Sequence, residues 1–177
     1  LFVVRGSGGA VDERELRRAA ILSDERTIAQ DPAFAVRAIV DLALRALSPA
    51  VNDPTTAVQA LDGIDFLLMD LGARDLRARG AVTDTHGRLR LVYPTPTWTD
   101  LLDLSLTEIR HYGASSPQIP RRMRALLDGL RRATPAARHP DVDAQLERLD
   151  AAVRRAYDDP VELAFASRPD VMGVGSG

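Results

Sequence analysis

The stretch RALSPAVNDPTTA, residues 45–57, predicts a junction between two helices. Ser48 precedes a proline, and the residue before a proline disfavours helical backbone angles, so the first helix should end there. Asp53 precedes Pro54, which is typical of a helix start in which an acidic cap is followed by proline at the first helical position. The stretch therefore predicts two consecutive helices joined by the turn PAVN.

Other parts of the chain repeat this start signal of a capping residue followed by proline. The signals are Asp31-Pro32, Asp53-Pro54, Ser116-Pro117, His139-Pro140 and Asp159-Pro160, with Asp141 as a substitute cap for His139. Between them, apolar residues recur at helical spacing, which predicts helices over 11–22, 32–48, 54–72, 98–113, 117–133, 141–157 and 160–167. The signals and the spacing agree on a mostly helical chain.

One segment, GAVTDTHGRLRLVYP, has β-like runs on either side of a turn. Gly87 lies in that turn, where it can adopt a positive φ, so the segment predicts a β-hairpin. The predicted fold class is all-α for the most part: a helical bundle of about six to seven helices with one β-hairpin insertion near 81–93. Residues 1–10 are expected to be the end of an upstream strand or a linker, residues 11–168 the helical domain, and residues 169–177 a flexible tail.

Composition excludes several classes of chemistry. The 177 residues carry a formal charge of −2, which argues against a nucleic-acid partner. There is no cysteine, and all 23 basic residues are arginine, so cysteine nucleophiles and lysine Schiff bases are excluded. The three histidines lie far apart and lack metal-binding spacing. We expect no metal and no cofactor.

The predicted helix over 32–48 is apolar nearly all round. Its charged residues, Arg37, Asp41 and Arg45, follow one another at a spacing of four and therefore form a single stripe. Such a helix is usually central in a bundle, so we expect the stripe to be partly buried and paired into a polar network, with Asp41 between the two arginines.

The junction residues allow three interpretations. In the structural one, Asn52 and Asp53 satisfy backbone groups of the turn, and Arg45 bonds Asp53 or the last carbonyl groups of its helix. In the binding one, Arg45 and the helix start at Asp53–Thr56 form a pocket for a small anion. In the catalytic one, Asp41, Ser48 and Asp53 around Arg45 form a hydrolase site.

The predicted helix over 117–133 is basic and amphipathic. Met123, Leu126, Leu127 and Leu130 share one face, and the arginines are expected to point largely away from it. Such a helix either packs on the core with a solvated basic face or lies against anionic lipid headgroups. The candidate membrane-surface residues are Arg121, Arg122, Arg124, Arg131 and Arg132.

Residues 25–65, ERTIAQDPAFAVRAIVDLALRALSPAVNDPTTAVQALDGID, resemble the central motif of a bacterial predicted-membrane-protein family, domain of unknown function 2254. Residues 100–127 and the hairpin before them are also similar. The resemblance implies transmembrane helices ahead of a soluble part, membrane attachment of the full-length protein, and no particular activity. By position, the motif residues are Arg26, Thr27, Gln30, Asp31, Asp41, Arg45, Ser48, Asn52, Asp53, Thr56 and Arg110.

The sequence therefore predicts the soluble domain of a bacterial integral membrane protein, placed on the cytoplasmic side. We expect a non-enzymatic assembly, regulatory or ligand-sensing role, with another copy of the chain or a small anionic ligand as partner. The alternative is a hydrolase-type enzyme with its site at the junction 45–56.

Overall fold

The computed structural model of the protein describes Arg14, residues 32–76 and residues 79–171. These residues form six α-helices of the bundle, one β-hairpin and a short 3-10 turn at Ala136–Arg138. The elements are α1 Pro32–Ala46, α2 Pro54–Gly72, β1 Arg79–Thr83, β2 Leu89–Pro94, α3 Trp98–Gly113, α4 Gln118–Ala133, α5 His139–Ala156 and α6 Pro160–Ala166. The predicted helical fold with a hairpin is confirmed.

The apolar faces of the helices meet in one core. α1 packs on α2 and α3, α2 packs on α4, and α5 lies against both α3 and α4. The short α6 closes against α4 and α5. Core residues recur at helical spacing and are buried: Leu61, Ile64 and Leu68 on α2, Leu102, Leu106 and Ile109 on α3, and Met123, Leu126, Leu127 and Leu130 on α4.

The β-hairpin projects from this bundle. β1 and β2 pair antiparallel, with a register irregularity between Val82 and Thr83. In the turn, Gly87 has a φ of +76°, as its position predicts, and the Asp84 carboxylate accepts hydrogen bonds from the backbone of His86 and Arg88. Tyr93 is largely exposed, like other apolar hairpin side chains. The hairpin therefore adds little to the core.

At two helix starts the observed cap differs from the predicted one. α4 begins at Gln118 without a side-chain cap, so Ser116 does not cap it. α5 begins at His139, also without a side-chain cap, because Asp141 accepts a hydrogen bond from Thr99 of α3 at 2.9 Å instead. The predicted helix over 11–22 lies outside the described residues, apart from Arg14.

The predicted flexible tail begins with residues that pack on the bundle. Asp170 is buried, and its backbone N–H donates to the carbonyl oxygen of Arg121 at 3.1 Å. The chain thus remains attached to α4 after α6 ends.

Two glycines of α2 offer a matched test of packing. A Cβ at Gly72 would lie 2.7 Å from Thr134 Cγ2 and 3.1 Å from the Trp98 ring, so Gly72→Ala should destabilise the fold by about 1–3 kcal/mol. A Cβ at Gly63 would lie 3.8 Å from Ile39, an ordinary contact. Gly63→Ala should therefore stabilise the helix by about 0.5–1 kcal/mol. Urea unfolding measures both, and equal effects would contradict the packing of α2 on α3 and α4.

Candidate functional site

Main-chain hydrogen bonds build the junction between α1 and α2. The Asn52 N–H donates to the Ser48 carbonyl at 2.8 Å, and the Asp53 N–H donates to the Ala46 carbonyl at 2.8 Å. Asn52 has a φ of +46°, a left-handed conformation that asparagine tolerates better than most residues. Asn52 therefore reverses the chain.

The second half of the junction is an acidic cap. The Asp53 carboxylate accepts the Thr56 N–H at 3.1 Å and the Thr56 hydroxyl at 2.5 Å. These two hydrogen bonds lower the pKa of Asp53, and the bond from the Thr56 hydroxyl contributes more than the bond from the Thr56 N–H. A carboxylate thus already occupies the start of α2. An incoming anion would meet this negative charge, which disfavours the anion pocket predicted at Asp53–Thr56.

Ser48 closes the end of α1. Its hydroxyl donates to the carbonyl oxygen of Arg45 at 2.7 Å. A nucleophilic serine needs a base that accepts its proton. Among the described residues the hydroxyl has no such base as partner, and the catalytic interpretation therefore gains no support from this geometry.

Arg45 makes no side-chain hydrogen bond to the described residues of the turn. Its side chain is exposed, and among the described residues it has no ion-pair partner. This differs from the predicted pairing with Asp41 or Asp53, because Asp41 bonds Arg37 and Asp53 bonds Thr56. Arg45 borders a shallow open groove of about 530 Å³ that is lined by Asp41, Leu44, Arg45, Ser48 and Val51.

The rest of the predicted stripe pairs with α3. Arg37 contacts Asp41 at 2.7 Å and Glu108 of α3 at 2.8 Å. The hydrogen bond to Asp41, more than that to Glu108, raises the pKa of Arg37. These side chains remain about 40% exposed, so the stripe lies at the edge of the bundle and not inside it.

A second polar network joins α3 to α5. Arg110 Nη1 donates to Gln145 Oε1 at 2.7 Å, and Gln145 Nε2 donates to Asp103 Oδ1 at 2.7 Å. The same Asp103 oxygen accepts from Arg148 Nη1 at 2.7 Å. Burial, followed by repulsion from Arg148, lowers the pKa of Arg110.

The two networks border one open cleft between α1, α3 and α5. Its volume is about 540 Å³, and it is lined by Arg37, Asp103, Leu104, Thr107, Glu108, Arg110 and Arg148. The sequence indicated Arg37 and Arg110 but not Gln145 or Arg148. The α5 residues occur three apart, on one face of their helix, but only the packing of α5 against α3 shows what they contact.

The arginines of α4 do not all face solvent, and the prediction is wrong for two of them. Arg122 is 6% exposed, donating from Nε to Asp62 at 2.6 Å and from Nη2 to Asp65 at 2.7 Å. Arg121 is 1% exposed, stacks on the Phe165 ring and lies 3.9 Å from an Asp170 oxygen. These pairs attach α4 to α2 and to the chain after α6.

The other arginines of α4 lie nearer its surface. Arg124 pairs with Asp150, and Arg131 pairs with Asp143 at 2.6 Å. Arg131 and Arg132 are exposed. The membrane-surface interpretation stays a prediction, and only these two of its five residues are exposed.

Some predicted residues fall outside the described part of the chain: Arg26, Thr27, Gln30 and Asp31. Within the described residues, no group of three His, Asp or Glu side chains is arranged to hold a metal ion. In the same ranges, none of the helices combines the length and apolar content needed to cross a bilayer.

Comparison with known proteins adds a family and several relatives. The family described as predicted membrane protein (DUF2254) matches residues 1–129. The uncharacterized proteins Rv1290c of Mycobacterium tuberculosis and Mb1321c of Mycobacterium bovis are each 31% identical over 161 residues. The alignment covers 90% of this chain but 31% of each relative, so the chain spans about a third of their length. No solved structure matches the chain.

Buried and exposed arginines should respond differently to neutral replacement. Arg122→Met leaves the partly buried Asp65 without its partner and removes the ion pair with the half-exposed Asp62, at a cost of about 1–3 kcal/mol. The unfolding midpoint should fall by about 3–10 °C. Arg45→Met removes an exposed, unpaired charge, so its midpoint should stay within about 2 °C of the wild type. Thermal unfolding compares them, and a larger loss for Arg45→Met would contradict this assignment.

The cap at Asp53 predicts a pH dependence. Since its pKa is lower in the folded state than in the unfolded chain, the cap stabilises the fold above about pH 4 and loses this effect as pH falls through the folded pKa. Asp53→Asn lacks the titrating group. Urea unfolding from pH 7 to pH 2 should show a stability advantage of the wild type that shrinks only in the acid range. If the difference in free energy of unfolding between wild type and Asp53→Asn does not change with pH, the charged cap is ruled out.

Proposed function

We propose that this chain, which belongs to the family of predicted membrane proteins named DUF2254, carries a non-enzymatic assembly domain that associates with a second copy of itself. The observation that carries the proposal is the exposed, unpaired Arg45 beside exposed apolar side chains. We call this region the α1 contact surface, which comprises Asp41, Leu42, Arg45 and Val51.

The α1 contact surface has the composition of an interaction surface. Leu42 is 49% exposed and Val51 is 58% exposed, although both are large apolar residues. Arginine is enriched in protein interfaces, and burial of exposed apolar side chains such as these favours association. The neighbouring Ser48, Asn52 and Asp53 hold the turn in one conformation. The surface is therefore preorganised, which lowers the entropic cost of association.

The charge pattern suits a second copy as the partner. Asp41 and Arg45 lie one turn apart on α1, and Leu42, three residues before Arg45, is a neighbour of Arg45 on the helix surface. In a two-fold dimer every contact occurs twice, so antiparallel α1 helices would place Arg45 of each copy next to Asp41 of the other. Asp41 uses Oδ1 for Arg37, and 40% of its side chain remains exposed for this second contact.

A surface of this size predicts weak association in solution. Stable interfaces bury roughly 1,200–2,000 Å², more than four side chains supply. Attachment of the full-length protein to one membrane would raise its effective concentration and reinforce a weak contact. The isolated chain should therefore be studied at high concentration.

Charge reversal and charge exchange test the proposal. Sedimentation equilibrium of this chain should show reversible dimers, and Arg45→Asp should weaken dimerisation at least tenfold because like charges then face each other. The double variant Asp41→Arg with Arg45→Asp restores opposite charges across the two-fold axis and should restore dimerisation.

Arg88→Asp is the matched control, because Arg88 is also an exposed arginine but lies on the hairpin. It should leave dimerisation unchanged, and thermal unfolding should show all variants folded. A wild type that stays monomeric at about 1 mM, a concentration at which a contact worth only about 4 kcal/mol already forms dimers, would refute the proposal. Equal dimerisation of Arg45→Asp and wild type would refute it as well.

A further inference from the structure

We infer that the cleft between α1, α3 and α5 binds a small oxyanion, a carboxylate or a phosphate, through Arg110. This site goes beyond the proposed self-association and rests on different contacts. It is an open cleft of about 540 Å³, large enough for a small metabolite or a phosphate group.

Arg110 has guanidinium donors that are available for a ligand. Its one partner among the described residues is the neutral amide oxygen of Gln145. A guanidinium has five N–H donors in a planar fork, so most of its donors are left for another acceptor. Arg37 and Arg148, which line the same cleft, each contact a carboxylate. Arg110 is thus the one cleft arginine without an anionic contact among the described residues.

The surroundings of Arg110 make its charge unfavourable without a ligand. The side chain is half-buried, and repulsion from Arg148 and Arg155 outweighs the attraction of the Asp103 carboxylate, so burial and charge together lower the pKa of Arg110. Arginine nevertheless stays protonated in proteins. An anion in the cleft would replace lost solvation and reduce the repulsion, which gives it a direct electrostatic reason to bind.

The network behind Arg110 holds it in place. Gln145 is 2% exposed, and its amide nitrogen donates to Asp103. This hydrogen bond turns the amide oxygen toward Arg110 and fixes one edge of the guanidinium. Asp103 also binds Arg148, so one carboxylate orients Arg148 directly and Arg110 through Gln145. A rigid second layer of this kind is characteristic of binding sites.

The chemistry of the cleft defines the ligand. A planar fork pairs best with two oxygens of one carboxylate or phosphate group. Glu108 and Asp103 also line the cleft and would repel a large polyanion. A ligand with one or two negative charges therefore fits best.

The test measures the thermal unfolding midpoint of this chain with two probes, inorganic phosphate and succinate, at constant ionic strength. A ligand present at a hundredfold excess over its Kd should raise the midpoint by on the order of 5–10 °C. Arg110→Gln should abolish that shift, and Arg110→Lys should reduce it, since lysine keeps the charge but loses the fork. Arg88→Gln is the control and should keep the full shift.

The variants also separate binding from folding. Arg110→Gln removes the hydrogen bond to the buried Gln145, so its midpoint in the absence of ligand should fall by about 2–10 °C, and each ligand-induced shift is measured from the variant's own unliganded midpoint. A shift with either probe that depends on Arg110 supports the site and identifies the oxyanion class. No shift with either probe up to about 10 mM, a generous limit for a metabolite site, overturns it. Equal shifts in wild type and Arg110→Gln also overturn it, since they report only a general salt effect.

Discussion

The reversal of the chain between α1 and α2 is the constraint on which the rest of the structure depends. Asn52 in a left-handed conformation and Asp53 as a cap turn the chain within a few residues. Consecutive helices joined by so short a turn must pack side by side. This packing buries the apolar side of α1 and leaves its charged stripe at the edge of the bundle. Both candidate surfaces, around Arg45 and around Arg110, border that stripe.

Local signals predicted the fold well because they act within one element. The bounds of α2 and α3 agree with their predictions, since Asp53-Pro54 marks the start of α2 and the apolar period follows the length of both helices. The partners of charged side chains could not be predicted in this way. The prediction that Arg122 points away from the core of α4 was wrong, although Arg122 comes three residues after Ile119 and four before Leu126 and therefore has the helical phase of the apolar face. What phase could not reveal is that Asp62 and Asp65 of α2 meet it there.

The distribution of paired and unpaired arginines distinguishes stability from function. Arg122 is buried against two carboxylates, because an arginine inside a bundle without such partners would be very costly. Arg45 and Arg110 break this pattern in opposite ways. Arg45 is exposed and needs no partner for folding, whereas Arg110 is half-buried with a neutral partner. The half-buried Arg110 is therefore a local departure from the best folded arrangement, and such departures tend to occur at functional sites.

The two proposed surfaces share one ion pair, that of Arg37 with Asp41. Arg37 lines the cleft, and Asp41 belongs to the α1 contact surface. An anion that attracts Arg37 into the cleft would weaken its contact with Asp41 and leave that carboxylate more available to Arg45 of a second copy. Because coupling between two binding sites is reciprocal, dimerisation would strengthen anion binding by the same factor. If the anion and the second copy both bind as proposed, the stripe on α1 couples the two sites.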